Sequence, residues 1–234
     1  MELDYIAIDL ETTGLDAKRD KIIEVGAIRV QEGMETARYH SLINPHRKLE
    51  SRVQELTGIR DEMVEAAPDI GDIIAGIVDF CEGLPLLGHH VIFDYGFLKR
   101  AAVNHGIAFE KSGIDTLKLC RRLMPEGESK SLAAACAFFK IERKGAHRAL
   151  EDAEDAHRLY QALMRRFLDR KEIFAAEPMI YKVKKEQPAS KKQKEDLRYL
   201  LKYHKIDVPV EIDYLSRNEA SRLKDQIISQ YGRF

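Results

Sequence analysis

The chain opens with an apolar run that ends in two acidic residues and a glycine, Tyr5-Ile6-Ala7-Ile8-Asp9-Leu10-Glu11-Thr12-Thr13-Gly14-Leu15. Such a run, rich in isoleucine and bounded by glycine, favours a β-strand. Side chains two residues apart in a strand project from the same face, so Asp9 and Glu11 are expected to point at one place. Converging carboxylates are hard ligands that suit Mg²⁺ or Mn²⁺. The alternative is that both acids only solubilise the strand end.

Length and charge distribution predict an enzyme-sized body with a basic tail. The 234 residues, 44% of them hydrophobic, are enough for one full-sized core and a small appendage. The net charge of −1 is unevenly spread, because the chain carries 25 basic and 31 acidic residues up to Pro178 and 13 and 8 after it. The tail therefore suits an anionic partner, although a solvated surface would account for its lysines equally well.

The cysteines favour a reducing cytoplasm. Cys81, Cys120 and Cys136 are odd in number and widely spaced, so neither a disulfide framework nor a C-x-x-C metal site is expected. A strand is predicted within a few residues of Met1, and no run of about 18 apolar residues is present. Neither a secretory signal nor a membrane span is expected.

Apolar periodicity predicts an α/β domain over residues 1–170. Three strands are expected at 3–10, 22–30 and 37–43, joined by loops short enough for hairpins. Helices and strands then alternate: a helix after Pro68-Asp69, a strand at 84–87, a helix around 97–101, a strand end at 113–115, and helices at 132–139 and 149–167. This order predicts a mixed sheet covered by helices on both faces.

The remaining residues are predicted to form a linker and a small module. Residues 171–189 are lysine-rich, contain two prolines and lack periodicity, which is typical of a linker. Ser190 and Ser216 are each followed three residues later by Gln193 or Glu219, the pattern of a helix capping box. We therefore expect a basic helical module at 190–234.

Two further acids and one histidine stand at the starts of predicted helices. Asp94 follows the fourth strand, and Asp152 lies in the first turn of the long helix. Each alone is explained by helix capping or by the helix dipole. His147 precedes Asp152 by five residues, where imidazole could accept a proton near neutral pH. The other seven histidines show no zinc-ligand spacing, and none is assigned to a metal.

Three stretches together carry a family resemblance. They are Ile8-Asp9-Leu10-Glu11-Thr12-Thr13-Gly14-Leu15, then Gly88-His89-His90 with Phe93-Asp94 and Phe97-Leu98, then His147-Arg148-Ala149-Leu150 with Asp152-Ala153. The chain resembles the DEDD-type 3′–5′ exonucleases with a histidine in the last motif, the group that contains the epsilon proofreading subunit of bacterial DNA polymerase III. The likeness spans roughly residues 3–168.

The resemblance implies a ribonuclease-H-like fold, a mixed five-stranded sheet flanked by helices, and a two-cation site. Two divalent cations, Mg²⁺ or Mn²⁺, would stabilise the attacking and leaving oxygens of a phosphodiester. The general base implied by the resemblance is His147, and Glu11 is counted in the catalytic set as well as among the metal ligands. The implied metal ligands are Asp9, Glu11, Asp94 and Asp152.

Substrate-binding residues are expected in the same stretches. Thr12, Thr13 and Gly14 form the turn that would hold the 3′-terminal nucleotide. Leu15 and Phe93 are candidates to pack against bases, with ordinary core packing as the alternative. His90 stands where the family usually has asparagine, which affects a local contact to the nucleic-acid backbone.

The sequence therefore predicts a metal-dependent 3′–5′ exonuclease that releases mononucleotides from single-stranded or frayed DNA ends, in proofreading or repair. An RNA 3′ exonuclease of the same family is the alternative, because no residue plainly reads a 2′-hydroxyl. A non-catalytic nucleic-acid-binding adaptor is a third hypothesis. The terminal module, with Tyr199, Tyr203 and His204 among basic residues, is expected to contact nucleic acid, a polymerase or another partner protein, or only the main domain. No membrane partner is expected.

Overall fold

A mixed six-stranded sheet forms the centre of the computed structural model, which describes residues 3–143, 145 and 147–233. The strand order is β3-β2-β1-β4-β5-β6, in which β1, β4 and β5 run parallel and the other neighbours pair antiparallel. The strands are β1 (Tyr5–Thr12), β2 (Ile22–Gln31), β3 (Met34–Leu42), β4 (Leu86–Gly88), β5 (Ser112–Asp115) and β6 (Glu177–Pro178).

Helices cover both faces of the sheet. Side chains of α3 and α4 pack on one face with Ile6 and Ile8, and side chains of α5, α6 and α7 pack on the other with Tyr5 and Ala7. Short 3₁₀ segments lie at Leu168–Phe174 and Ile212–Tyr214. The helices are α1 (Ser51–Thr57), α2 (Asp61–Glu65), α3 (Ile70–Phe80), α4 (Ile92–Asn104), α5 (Thr116–Leu123), α6 (Leu132–Phe138), α7 (Ala149–Arg166), α8 (Lys191–His204) and α9 (Arg217–Tyr231).

The alternation along β1 decides where its acids point. Ile6, Ile8 and Leu10 belong to the core under α3 and α4, whereas Tyr5 and Ala7 belong to the core under α7. Because the side-chain period of a strand is two, Asp9 and Glu11 continue the row of Tyr5 and Ala7. Both carboxylates therefore lie on the α7 side of the sheet.

The α/β prediction is confirmed, with differences at short elements. The sheet has six strands rather than five, because Ser112 and Gly113 pair with Pro178 and Glu177 in a two-residue edge strand. Such a strand is too short to show periodicity, and a proline is tolerated at a sheet edge. Helices α1, α2 and α5 were not predicted, and the fourth strand begins two residues later than expected.

Residues 171–189 contact the sheet domain. Met179 and Tyr181 contact the core under α4, and the backbone N–H of Glu186 donates to Asn104 Oδ1 at 2.9 Å. The segment predicted as a linker is therefore packed against the sheet domain at these residues. The boundaries 1–170, 171–189 and 190–234 remain predictions.

The terminal module is two helices with their own small core. Both predicted capping boxes are present, at Ser190 and at Ser216. Apolar side chains between α8 and α9 fill the core, among them Leu197, Leu200 and Ile227. Local capping signals and helical periodicity therefore sufficed to predict this module.

A buried carboxylate docks the module on the sheet domain. Glu219 accepts from the backbone N–H of Ser216 at 2.9 Å in the capping box and forms ion pairs with Lys21 at 3.0 Å and Arg47 at 2.9 Å. Two backbone hydrogen bonds, Lys48 N–H to Pro209 O and Glu211 N–H to His46 O, both 2.9 Å, also cross this seam between the module and the sheet domain.

Glu219→Ala is expected to weaken the docking of the module on the sheet domain by about 1–3 kcal/mol, because two cationic side chains and one backbone N–H lose a buried partner at once. Limited proteolysis should then cut the chain near residues 179–189 faster than in the wild type. Glu195→Ala removes an exposed carboxylate of α8 and serves as the matched control. Equal protease resistance of the Glu219→Ala variant and the wild type would contradict this docking.

Cys81, Cys120 and Cys136 are buried free thiols. Among the described residues, no helix combines the length and the apolar character needed to cross a membrane.

Candidate active site

The parallel pairing of β1 with β4 brings the first two acidic stretches together. Parallel strands present their carboxyl ends at the same sheet edge, and α4 begins just beyond β4. The buried carboxylate of Asp94 accepts the backbone N–H of Leu10 at 3.1 Å, between Asp9 and Glu11 on the strand. The N-cap of α4 is Val91, so Asp94 does not cap its helix.

The start of α7 brings the third stretch to the same place. One ligand atom each of Glu11, His147 and Asp152 lies within 4.8 Å of the other two. The backbone N–H of His147 donates to Asp152 Oδ2 at 3.2 Å. His147 is exposed and has φ 59°, an uncommon backbone conformation that recurs at functional sites.

A carboxylate on β2 fixes the position of α7. Glu24 is fully buried, accepts the backbone N–H of Ala149 at 3.0 Å and is held by the side chains of Arg148 and His40. Burial alone would raise the pKa of Glu24, but these hydrogen bonds outweigh it and hold the pKa below its ordinary value. The side chain therefore stays ionised and caps the helix from a neighbouring strand.

Gly26, two residues further along β2, allows the helix to approach. A Cβ on Gly26 would lie well inside 3.0 Å of the backbone of Ala149 and Leu150. Only glycine leaves room for this close approach. The two β2 positions together place His147 and Asp152 over the end of β1.

The acidic groups at this edge repel one another. Burial and then the charges of Asp94, Asp152 and Glu11 raise the pKa of Asp9 well above its ordinary value. Burial, followed by Asp152 and Glu24, raises the pKa of Glu11 to about 8. Burial also raises the pKa of Asp94 and of Asp152, although Arg143 opposes it at Asp152. The cluster is therefore short of positive charge.

This donor set fits divalent cations. Carboxylate oxygens are the ligands that Mg²⁺ and Mn²⁺ prefer, and a cation would relieve the repulsion that raises these pKa values. A buried cluster that served only to solubilise a strand would gain nothing from being out of water. Asp9, Glu11, Asp94 and Asp152 would hold the ions, with His147 at the exposed side.

Divalent cations should raise the melting temperature, and more so at pH 8 than at pH 5. A carboxyl group whose pKa is raised on folding stabilises the fold below its ordinary pKa near 4, and this contribution is lost as pH rises toward the folded-state value, about 8 for Glu11. The metal-free cluster is thus most destabilising at high pH, where ions bind ionised ligands best. Thermal melts in EDTA or Mn²⁺, at ionic strength matched with NaCl, measure the shift. A shift that is absent, or equal at both pH values, would argue against the site.

Two side-chain hydrogen bonds hold the turn after β1, and Leu15 of this turn is exposed. Thr12 Oγ1 donates to Gly14 O at 2.7 Å, and Thr13 Oγ1 accepts the backbone N–H of Lys21 at 3.0 Å. Leu15 is 87% exposed, which excludes the core-packing alternative for this residue. The turn that follows the acid-bearing strand therefore exposes an apolar side chain to solvent.

His90 and Phe93 stand on the α4 side of the same edge. His90 has φ 80°, a conformation that asparagine and histidine adopt more readily than most residues, so the exchange from asparagine preserves the turn. Its backbone N–H donates to Asp115 Oδ1 at 3.0 Å. Phe93 is half-buried against Phe97, so it is both a core side chain and an accessible ring.

Sequence reasoning missed the groups that support the acids. Arg143 pairs with Asp152 and donates to Asp155 at 2.5 Å, so it competes for an oxygen of the proposed metal ligand. No local pattern distinguishes Arg143. Glu24 did leave a signal, because a charged residue inside the apolar strand Ile22-Ile23-Glu24-Val25 is expected to have a specific partner.

A cleft of about 430 Å³ lies elsewhere, at the seam between the sheet domain and the module. Its lining includes Lys21, Arg47, Arg100, Glu186 and Glu219 and none of the acids at the end of β1. These charges are mostly paired with one another across the seam. The cleft is therefore part of the docking interface rather than of the acidic site.

Comparison with protein families gives one match over most of the sheet domain. Residues 6–160 match the RNase_T family model, described as an exonuclease. Among curated proteins, the chain is 40% identical to the PolC-type DNA polymerase III of Bacillus subtilis over 64% of this chain, and 36% identical to that of Oceanobacillus iheyensis over 71%. The chain spans only 11% and 12% of the length of these two relatives.

Solved structures show the same architecture. A structure of exonuclease X in complex with 5′ overhanging duplex DNA superposes with a TM-score of 0.58 at 25% identity, covering 73% of this chain and 97% of that one. Exonuclease I of E. coli with an oligonucleotide gives a TM-score of 0.65 at 19% identity over 74% of this chain and 42% of that one, a likeness of fold alone.

Proposed function

The chain belongs to the RNase_T exonuclease family and carries the domain of a 3′–5′ exonuclease, and from that premise we propose that it releases mononucleotides from DNA 3′ ends by two-metal phosphodiester hydrolysis. The observation that carries the proposal is the approach of Glu11, His147 and Asp152 within 4.8 Å at the end of the strand that bears Asp9. Asp94 approaches the same strand through Leu10.

Each group has a distinct role in this proposal. When bound, two divalent ions would neutralise charge on the phosphate and on its attacking and leaving oxygens. His147, on the exposed side of the cluster, accepts the proton of the attacking water. Asp152 receives the backbone N–H of His147 and so keeps the imidazole close to the acids. Glu24 and Gly26 act indirectly, because they fix the position of the first residues of α7.

The turn of Thr12, Thr13 and Gly14 holds the 3′-terminal nucleotide. Its hydrogen bonds to Lys21 and within the turn keep the backbone in one conformation, which lowers the entropy lost when the nucleotide binds. Leu15 packs against the terminal base, with Phe93 and His90 on the α4 side. None of these contacts reads base identity, so ends of any sequence are accepted.

We propose DNA as the substrate and proofreading or repair, in association with a polymerase, as the setting. Support comes from the relatives named DNA polymerase III and from the neighbour bound to duplex DNA with a 5′ overhang. The buried free thiols support a reducing cytoplasm as the location.

A time course on a 5′-labelled oligonucleotide tests the proposal. With Mg²⁺ or Mn²⁺ we expect a ladder that shortens one nucleotide at a time from the 3′ end, and with EDTA or in the His147→Ala variant we expect none. Faster cleavage of a matched RNA strand would favour the RNA exonuclease. Binding without cleavage under every metal condition would favour the adaptor and overturn the proposal.

A further inference from the structure

The outer face of the terminal module carries a row of aromatic rings. Tyr199 and Tyr203 stack with ring centroids 6.3 Å apart, Tyr203 meets His204 at 4.9 Å, and His204 meets Tyr231 at 5.7 Å. Tyr199, Tyr203 and Tyr231 are 53%, 55% and 46% exposed. We call Tyr199, Tyr203, His204 and Tyr231 the aromatic row.

Helix geometry keeps the aromatic row out of the module core. Leu197 and Leu200 of α8 are fully buried against α9, whereas Tyr199 and Tyr203, four residues apart, share a different face. Tyrosine rings are large and apolar, and a contiguous group of them on a surface indicates an interaction site. The exposed rings of the row are therefore accessible from solvent.

The charge around the row favours an anionic partner. Residues 190–234 contain ten basic and seven acidic side chains. Ion pairs within the chain engage Asp196 with Lys224, Asp213 with Arg198, and Glu219 with Lys21. Lys202 and Lys205 flank Tyr203 and His204, are exposed, and form no ion pair with any residue in the described part of the chain.

We propose that the aromatic row binds single-stranded DNA, namely the stretch of substrate upstream of the 3′ end held by the exonuclease site; the inference rests on the proposed function. Rings that alternate with cationic side chains suit a single strand, because bases stack on the rings while phosphates meet the lysines. A double helix offers no free base faces to stack. A protein partner would not require exposed lysines beside the rings.

The docking of the module supports a single strand that reaches from the exonuclease site to the aromatic row. Glu219 of the module pairs with Lys21, whose backbone N–H bonds to Thr13 in the turn proposed to hold the 3′ nucleotide. The module that carries the aromatic row is therefore tied to this turn by an ion pair and a hydrogen bond, and we expect one strand to engage both places. Binding at two linked places would raise the affinity for long strands without affecting very short ones.

Fluorescence anisotropy on the full chain in EDTA tests the row, because the metal-free protein binds without cleaving. The probes are 5′-labelled oligothymidylates of about 20 nucleotides, longer than a typical binding domain covers, and of about 4 nucleotides. The double variant Tyr199→Ala/Tyr203→Ala should bind the long probe at least about tenfold more weakly and the short probe as the wild type does. The matched Tyr199→Phe/Tyr203→Phe variant keeps the rings and should bind both normally.

Charge is tested separately with Lys202→Gln/Lys205→Gln, which should lower the slope of log affinity against log salt by about 1.4 for the long probe. Unchanged affinity of the alanine variant for the long probe, or equal losses on both probes, would overturn the proposal. If the exonuclease assignment itself is wrong, the wild-type protein will not cleave DNA when metal is added. This outcome does not depend on the anisotropy results.

Discussion

Replacing Asp9 by asparagine is expected to lower the rate of 3′-end hydrolysis by about a thousandfold or more. The substitution removes one anionic ligand from the acidic cluster, where the charges of Asp94, Asp152 and Glu11 act on Asp9. Loss of a cation that stabilises transition-state charge costs several kcal/mol, and each 1.36 kcal/mol is a factor of ten in rate. Release of labelled mononucleotide at saturating Mn²⁺ measures the effect.

The same variant should not be unfolded. In EDTA, Asp9→Asn is expected to melt at the wild-type temperature or above it, because one of several mutually repelling carboxylates is gone. This opposite movement of activity and stability separates a ligand from a structural residue. Asp79→Asn changes an exposed acid of α3 and is the matched control. A near-wild-type rate for Asp9→Asn would contradict the assigned metal role.

Replacing Gly26 by alanine is expected to destabilise the protein by about 3 kcal/mol or more and to abolish activity. The new Cβ would overlap backbone atoms at the start of α7, and backbone cannot move aside as a flexible side chain can. For a chain of this size, the loss corresponds to a melting temperature lower by roughly 6–12 °C. Thermal unfolding followed by circular dichroism measures it.

Gly127→Ala provides the control for Gly26→Ala, because a Cβ there meets nothing within 4 Å. This variant should melt within about a degree of the wild type. If Gly26→Ala were as stable and as active as Gly127→Ala, the conclusion that β2 positions His147 and Asp152 would be wrong.

Local rules predicted the parts of the fold that local sequence determines. The period of two along β1 placed Asp9 and Glu11 on one face, and both capping boxes marked the true starts of α8 and α9. The two-residue strand β6 could not be predicted, because its existence depends on an edge offered by Ser112 and Gly113.

The candidate site was predictable only with the family resemblance. Sequence spacing alone could not predict that Asp94 and Asp152 lie near the end of β1. Their positions depend on the parallel pairing of β1 with β4 and on the hydrogen bond from the start of α7 to Glu24. Arg143 was unpredictable for the same reason. Its partners Asp152 and Asp155 lie one turn apart on a helix, and its own loop shows no pattern.

Anomalous diffraction from Mn²⁺-soaked crystals tests the central claim most directly. Two peaks about 4 Å apart are expected, each about 2.0–2.6 Å from carboxylate oxygens of Asp9, Glu11, Asp94 or Asp152, and they should weaken or vanish in Asp9→Asn. Mn²⁺ bound only outside this cluster, or peaks unchanged in Asp9→Asn, would contradict the account.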